Sequence, residues 1–526
     1  MRNTYHLHPY LLAVCIGAVA LLAAALQIRP TFDDFTTLSS PNYDPDVLHY
    51  LLPMGSTWRP SDSIMGYINA IDYHLFPTLS HIEIWAAHLG STLLIYVICR
   101  QLHIGVLPRS IATAFFFFSP CTLATTLSCD GTNQSTCHLL GLMAVWAYLR
   151  YDGRRKYLLW MLLVVLSSFS KDNGIAWAVV PPVIAWTFGR IDRRTFMRHF
   201  AYGIALAIVY GIVRLSLPNN NPLNEEYEQQ FTSLFSRISG IGKWLGYTWT
   251  ATDFLSVFHQ PNRNLAWAAV TLVLSVPFFL QLFLRRNIWR QRTFYGIIAA
   301  IVITESPNLL IAMSLMNAYA SLGMAALLVG WLTQQYLNNP KECLDRDGSG
   351  SSNNAVSVKS HRHVMLLQLT FTIYLVVAVL VDIHHWYWAW KTSLPGMELA
   401  QQAVEKTRGS VDKAYCIVIR DDYPKYSSFC VPTDEAFGWG RSVWQVTGYT
   451  WPRTLKDTVL ERSANAMQQA RVLARKKRQQ GYDCVWIVNK HNVDVIQCRR
   501  KPPIAIHGHH ATMLPWLEAT FLILFI

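Results

Sequence analysis

Two adjacent carboxylates, Asp33 and Asp34, stand in the stretch QIRPTFDDFTTL, directly after an apolar run from Pro9 to Leu26 that is long enough to enter a bilayer. Acids beside a membrane are repelled by its negative surface, so their place there asks for a reason. As a functional pair they can act as a general base or hold a divalent cation, with Asp44 and Asp46 further along the same loop. As a local device, FDDF caps the helix that follows it, because an Asp ahead of a helix accepts the first free N–H groups.

Four other groups have chemistry in reach. Arg59 in STWRPSDS precedes a proline that fixes its backbone. Its guanidinium can grip a phosphate with two parallel hydrogen bonds or simply pair with Asp62. His81 and His88 in HIEIWAAH lie one heptad apart on nearly the same helix face, about 10 Å along the axis, which is too far to share a metal easily. They either line a polar cavity or are satisfied histidines at an interface. Lys171 in SFSKDNG sits at the junction of two apolar segments, where a lysine anchors to head groups or meets a lipid-linked phosphate. Glu305 and Asn308 in TESPNLL, with Pro307, interrupt an apolar stretch, and an ionisable group at membrane depth is a functional candidate because burying it unpaired is expensive.

The elements that position these residues follow from composition. The chain has 526 residues, 52% hydrophobic and 15% charged, with 19 Trp, which is little charge for a soluble protein of this length. Apolar segments near 9–27, 81–99, 110–127, 136–150, 157–170, 173–189, 199–216, 264–284, 294–312, 317–336 and 364–383 read as a polytopic α-helical membrane protein of about 11 transmembrane helices. The shorter segments would rely on tilt or on neighbours that line a cavity.

Lys and Arg set the orientation. With a cytoplasmic N-terminus, the inside loops hold Arg100 and Arg109, then RYDGRRKY, RIDRRTFMRH, RRNIWRQR and the stretch from Lys341 to His363, while the opposite loops are poorer in cations. Asp33 and Asp34 then face outward. The net charge of +13 is chiefly this topology signal, and no basic groove interleaved with aromatics argues for nucleic acid. The first segment lacks a small-residue cleavage site and reads as an uncleaved helix.

Residues 1–385 thus form the membrane domain, with outside loops at 28–80 and 217–263, and 386–505 a small soluble α/β domain on the extracytoplasmic side. Its strands are AYCIVI, DCVWIV and VDVIQC, with a helix over roughly 455–480 that ends in the basic run ARKKRQQG. The apolar tail 506–526 has no role that the sequence decides. Cys416, Cys430, Cys484 and Cys498 lie on the side where disulfides are plausible, in one of three connectivities. Cys129 and Cys137 either bridge across their loop or are small apolar residues at helix ends.

In order along the chain, the acid pair, WRPSDS, His81 and His88 entering the second helix, FFFFSPCTLATTLS, and LSSFSKDNG before a proline-bearing helix resemble the GT-C superfamily of membrane glycosyltransferases. The likeness is to protein O-mannosyltransferase-like enzymes and their bacterial relatives, and it covers 9–190 well and 307–323 more loosely. Ile84 stands where the family prefers Asn, Asp172 where it has Glu, and Met316 and Asn317 where it often has Glu-Arg, so one phosphate contact is lost or supplied by Arg214, Arg237 or Arg263. No tetratricopeptide pattern follows.

The resemblance implies transfer of a sugar, a hexose or pentose, from a polyprenyl-phosphate donor to an acceptor hydroxyl on the outer face of a bacterial inner membrane. In it Asp33 or Asp34 is the base or the ligand of a divalent cation, and Arg59, His81, His88, Lys171, Glu305 and Asn308 bind substrate. Partners would be membrane lipid, the lipid-linked sugar, and a glycan, lipid or protein acceptor. Two other classes fit parts of the pattern: a flippase or transporter of lipid-linked sugars, against which the lack of a fixed-period repeat argues, and a non-catalytic envelope assembly protein.

Overall fold

The computed structural model describes residues 8–30, 34, 51, 58–69, 78–216, 234–258, 264–284, 286–310, 313–338, 353–407, 411–419, 454–489 and 492–496. Asp33, Asp44, Asp46, Arg263, Cys430, Cys498 and the tail 506–526 lie outside the described residues.

All eleven apolar segments contain helix: α1 (Pro9–Ala25), α3 (Thr78–Gln101), α4 (Val106–Phe117), α5 (Thr132–Arg150), α6 (Gly153–Ser170), α7 (Val180–Thr187), α8 (Arg193–Ser216), α10 (Leu265–Phe283), α11 (Arg292–Glu305), α12 (Leu315–Asn338) and α13 (Asn353–Thr407). Two further helices, α2 (Pro60–Asn69) and α9 (Leu234–Trp249), lie in the expected outside loops. Among the described residues, five helices are long and apolar enough to cross a membrane, namely α3, α8 over Arg193–Arg214, α10, α12 and α13 over Arg362–Lys391. A sixth counts if α4 and Pro120–Thr126, bent by 42° from one another, are one span. The remaining segments are shorter or more polar. The segment at 173–189 is divided into a 3₁₀ stretch, Asp172–Ala178, and an eight-residue helix that opens on a pair of prolines.

Burial follows composition. α12 carries small or apolar residues on all sides, and the whole of its apolar window is buried, as a helix without a polar face requires. α8 is the opposite case: only 11% of its window is buried, leaving Ile204, Ile208 and Ile212 as an outer stripe.

α1 and α13 run side by side in the same direction. Tyr10 donates to the Gln368 carbonyl at 3.1 Å, Trp386 Nε1 to the Ala24 carbonyl at 3.1 Å, and the Arg29 N–H to Ser393 Oγ at 3.0 Å. The bundle also has two chemically distinct ends. At one, Arg190 reaches the Gln101 carbonyl and His103, Gln334 accepts from the Gly105 N–H, and Gln291 meets Gln335. At the other lie Asp34, Arg59, Asp130 and Asp172.

α13 continues through position 385 without a break and lays Leu399, Ala400 and Ala403 on one face of a four-stranded sheet. The strands are β1 (Lys413–Ile419), β2 (Thr454–Leu460), β3 (Cys484–Asn489) and β4 (Asn492–Ile496), in the order β2-β1-β3-β4. β1 pairs in parallel with β2 and β3, and β3 pairs antiparallel with β4. Alternation along β1 sends Ala414, Cys416 and Val418 toward α13, and Tyr415, Ile417 and Ile419 toward α14 (Ala466–Gln479).

The helix expected over 455–480 is therefore shorter. TLKDTVL, with β-branched Thr454, Thr458 and Val459, is an edge strand instead. Cys129 and Cys137 form no disulfide; Cys137 is held by Ser167 at 3.3 Å and Asn173 at 3.2 Å, and Cys129 lies 3.8 Å from His81. Cys416 and Cys484 are buried thiols on adjacent strands and are not joined to each other.

Candidate functional site

A proline after Ser119 ends the straight run of α4, because it cannot continue the helix's hydrogen bonding and its ring crowds the preceding turn. The chain then passes through two short turns to Asp130. Gly131 closes this path: a Cβ there would lie 1.9 Å from the Thr125 carbonyl oxygen, so only glycine lets the two backbone segments meet.

This turn receives Asp34. The Asp34 side chain is buried, 1% exposed, and its Oδ1 accepts from the Asp130 N–H at 2.7 Å and from Ser128 Oγ at 3.1 Å. Two donors from one turn thus converge on a single carboxylate oxygen.

Arg59 opens α2, with Pro60 at the first helical position and Asp62 in the first turn. Its Nε and Nη2 both reach Asp172 Oδ2, at 3.1 and 2.9 Å. The other oxygen of Asp172 takes Arg214 Nε and the Tyr210 hydroxyl, each at 2.7 Å, from positions one turn apart on α8. Arg214 Nη1 is buried with no hydrogen-bond partner among the described residues.

Lys171, one residue before this anchor, is extended and ends α6. Gly174 locks the turn, since a Cβ there would come within 2.4 Å of the Ser167 backbone. Lys171 makes no ion pair among the described residues, although Arg59, Asp130 and Asp62 surround it.

The electrostatics follow from this crowding. Burial would raise the Asp172 carboxyl, but Arg59, Tyr210 and Arg214 outweigh it and hold the group below its ordinary range. Burial pushes Asp62 up to about 6, with Arg59 and Lys171 opposing and Asp172 reinforcing the shift. Burial, and after it repulsion from Arg59, lowers Lys171 against the pull of Asp130 and Asp62.

From Lys171 a chain of amides leads inward. Asn173 Nδ2 lies 3.4 Å from both Gln134 Oε1 and Asn308 Oδ1, and Asn308 donates to the Asn317 carbonyl at 3.0 Å. Glu305 ends it, fully buried beside Ser321 and Asn308, with neither carboxylate oxygen in a well-formed hydrogen bond among the described residues.

Asp34, Arg59, Lys171, Glu305 and Asn308 thus belong to one connected region. His81 stands at its edge, its Nε2 3.2 Å from the Ile28 carbonyl, where it touches both the chain leading to Asp34 and the turn bearing Asp130. His88 lies in the core, with Nδ1 3.0 Å from the Tyr319 hydroxyl and its ring against Phe116 and Phe117. Of the substitute arginines, Arg214 reaches the region through Asp172, and Arg237 is exposed on α9.

Sequence reasoning missed Asp130, Ser128, Tyr210 and the amides Gln134 and Asn173. A carboxylate following a proline-broken apolar helix was the available signal for Asp130. Among the described residues no three His, Cys, Asp or Glu side chains converge to hold a metal ion.

No family model matches the chain, and no curated protein matches it by sequence. Among solved structures it is similar to the Archaeoglobus fulgidus oligosaccharyltransferase in the apo form, at 10% identity over 86% of this chain and 65% of that one, with a TM-score of 0.42. It is also similar to AglB of that organism in complex with an inhibitory peptide and a dolichol-phosphate, at 11% identity, 84% and 64% coverage and a TM-score of 0.40. For the enzyme tethered to an acceptor peptide containing the NVT sequon, the values are 10%, 85%, 63% and 0.40. The chain spans less than two thirds of the length of each.

Proposed function

We propose that the chain is an integral-membrane glycosyltransferase of the GT-C type that moves a sugar from a polyprenyl-phosphate donor to an acceptor hydroxyl on the extracytoplasmic face. The observation that carries this reading is that one turn both seats a buried carboxylate, Asp34, and adjoins Lys171, a cation that makes no ion pair among the described residues. The link between them is Asp130, which donates to Asp34 and lies beside Lys171. The two distinct ends of the bundle and the parallel course of α1 and α13, which needs an odd number of crossings from the first to the last, support a reading of eleven spans with this cluster outside.

Transfer then proceeds by displacement at the anomeric carbon. The acceptor oxygen forms the new C–O bond while its proton passes to Asp34, and the bond from the anomeric carbon to phosphate oxygen breaks with its electron pair on the phosphate. Lys171 and the buried Nη1 of Arg214 stabilise that developing charge. Arg59 acts through Asp172, whose position it fixes. The sugar's tether explains the site's depth: the reactive carbon stays at head-group level, so the base must be there too.

The test is transfer of labelled sugar from a panel of polyprenyl-phosphate donors, using membranes with the intact chain or its Asp34→Asn variant. Transfer by the intact chain, lost in Asp34→Asn with donor binding retained, supports the enzyme. Lipid-linked sugar crossing the bilayer without transfer would put the flippase reading in its place.

A further inference from the structure

The end of the α13 span and Ser393 just beyond it contact the chain leaving α1 and the turn that precedes Ser128. On one side, Ser393 Oγ accepts from the Arg29 N–H at 3.0 Å, and Trp386 Nε1 donates to the Ala24 carbonyl at 3.1 Å, so the chain leaving α1 is seated on α13 five residues before Asp34. On the other, Leu123 and Leu127 share a buried cluster with Ala25, Ile28 and Ala389, against which Trp386 and Trp390 pack. Leu127 directly precedes Ser128, a donor to Asp34.

Ser393 is itself oriented. Its hydroxyl donates to the Trp390 carbonyl at 2.8 Å, which turns its lone pairs toward Arg29. The rotation of α13 is set more than two turns earlier by Asp253, a fully buried carboxylate that takes His384 Nδ1 at 2.6 Å, His385 Nε2 at 3.3 Å and Trp267 Nε1 at 2.8 Å. Its Oδ2 also accepts from Ser256 at 3.1 Å. Apolar packing alone would leave the chain after α1 free to slide along the tryptophans; the directional bond from Arg29 to Ser393 removes that freedom.

We propose that Ser393 is a positioning residue for the transfer reaction, fixing through Arg29 the backbone that delivers Asp34 to Ser128 and Asp130. The inference rests on Asp34 being the reactive carboxylate. Its effect is on geometry: a shift of the carboxylate by a fraction of an ångström alters proton transfer while leaving the donor's phosphate contacts at Lys171 untouched.

The experiment compares Ser393→Ala and Ser393→Thr with the intact chain in reconstituted membranes, reading hydrogen exchange at the Arg29 amide, kcat, donor KM and thermal stability. In Ser393→Ala the Arg29 amide should exchange at least about tenfold faster. Its kcat should fall about tenfold or more, while donor KM stays within about twofold. The melting temperature should move by no more than about 2 °C. Ser393→Thr keeps a hydroxyl and should restore both exchange and kcat. Unchanged exchange at Arg29, unchanged kcat in an active preparation, or a joint shift of kcat, KM and stability that threonine does not rescue would each overturn the positioning role alone. If the intact chain moves no sugar, the reading of Asp34 falls and this proposal with it.

Discussion

Arg59 donates from two nitrogens to one oxygen of Asp172, although the residues are 113 positions apart. The partner offered by proximity in sequence was Asp62. Asp172 prevails because it is approached from two sides: Arg214 and Tyr210 occupy its second oxygen, so one carboxylate ties α2, the end of α6 and α8 together. The consequence for chemistry is that two guanidiniums share a single negative charge, and Lys171 beside them makes no ion pair among the described residues.

Asp172→Asn should therefore destabilise more than an ordinary surface change. It leaves Arg59 and Arg214 facing each other across a neutral amide. With both ion-pair partners of Arg59 and Asp172 partly exposed, 26% and 33%, the loss is about 2 kcal/mol, read as a lower melting temperature in a membrane mimetic. Adding Arg59→Met should cost less than its effect alone, since the repulsion it relieves exists only in the asparagine background.

Lys171→Met should act on donor binding. Removal of a cation from a phosphate site is expected to raise donor KM by at least about tenfold, with Lys171→Arg retaining part of the affinity. Initial rates over a donor titration distinguish this from a loss of turnover.

Asp62 should make donor binding depend on pH. Its carboxyl titrates near 6 in the folded protein, above its ordinary value of 3.8. Below 6 it is neutral and leaves Lys171 to the phosphate; above 6 it ionises and competes. Donor KM should rise as pH increases through about 6, and Asp62→Asn should flatten that limb. For stability the sign is the same: the folded state holds the proton more tightly, so stability present at low pH declines as pH rises from about 4 to about 6.

Gly131→Ala should disturb both fold and site. Its Cβ would meet the Thr125 carbonyl at 1.9 Å, a backbone contact that no side-chain rotation can relieve. The expected cost is about 2 kcal/mol or more, and transfer should fall even in the fraction that remains folded, because the Asp130 N–H is displaced from Asp34. Thermal unfolding and specific activity of the folded fraction measure the two effects separately.

Several features were legible in the residues themselves. Each apolar segment contains helix because backbone groups carried out of water with apolar side chains must pair within the segment, and only a helix achieves that locally; among the described residues five of these helices are long and apolar enough to cross a membrane. The β strands AYCIVI and DCVWIV showed as short β-branched runs bounded by polar turns. The edge strand at 454–460 did not, because its mixture of polar and apolar residues also suits a helix face and only pairing with β1 decides between them.

The candidate site divides along the same line. The sequence alone offered the candidates, Asp33, Asp34, Arg59, His81, His88, Lys171, Glu305 and Asn308, because a charged or polar group set into apolar surroundings stands out without reference to anything distant. Tertiary structure decided what each one faces. Asp34 meets Asp130 from 96 positions away, Arg59 is held by Asp172, and His88, which reads from its spacing as a companion of His81, is enclosed by Tyr319, Phe116 and Phe117. The physical reason is range: helix propensity and hydropathy are summed over neighbours in the chain, whereas an ion pair or hydrogen bond depends on ångström-scale approach between segments, which only the packing of the bundle brings about.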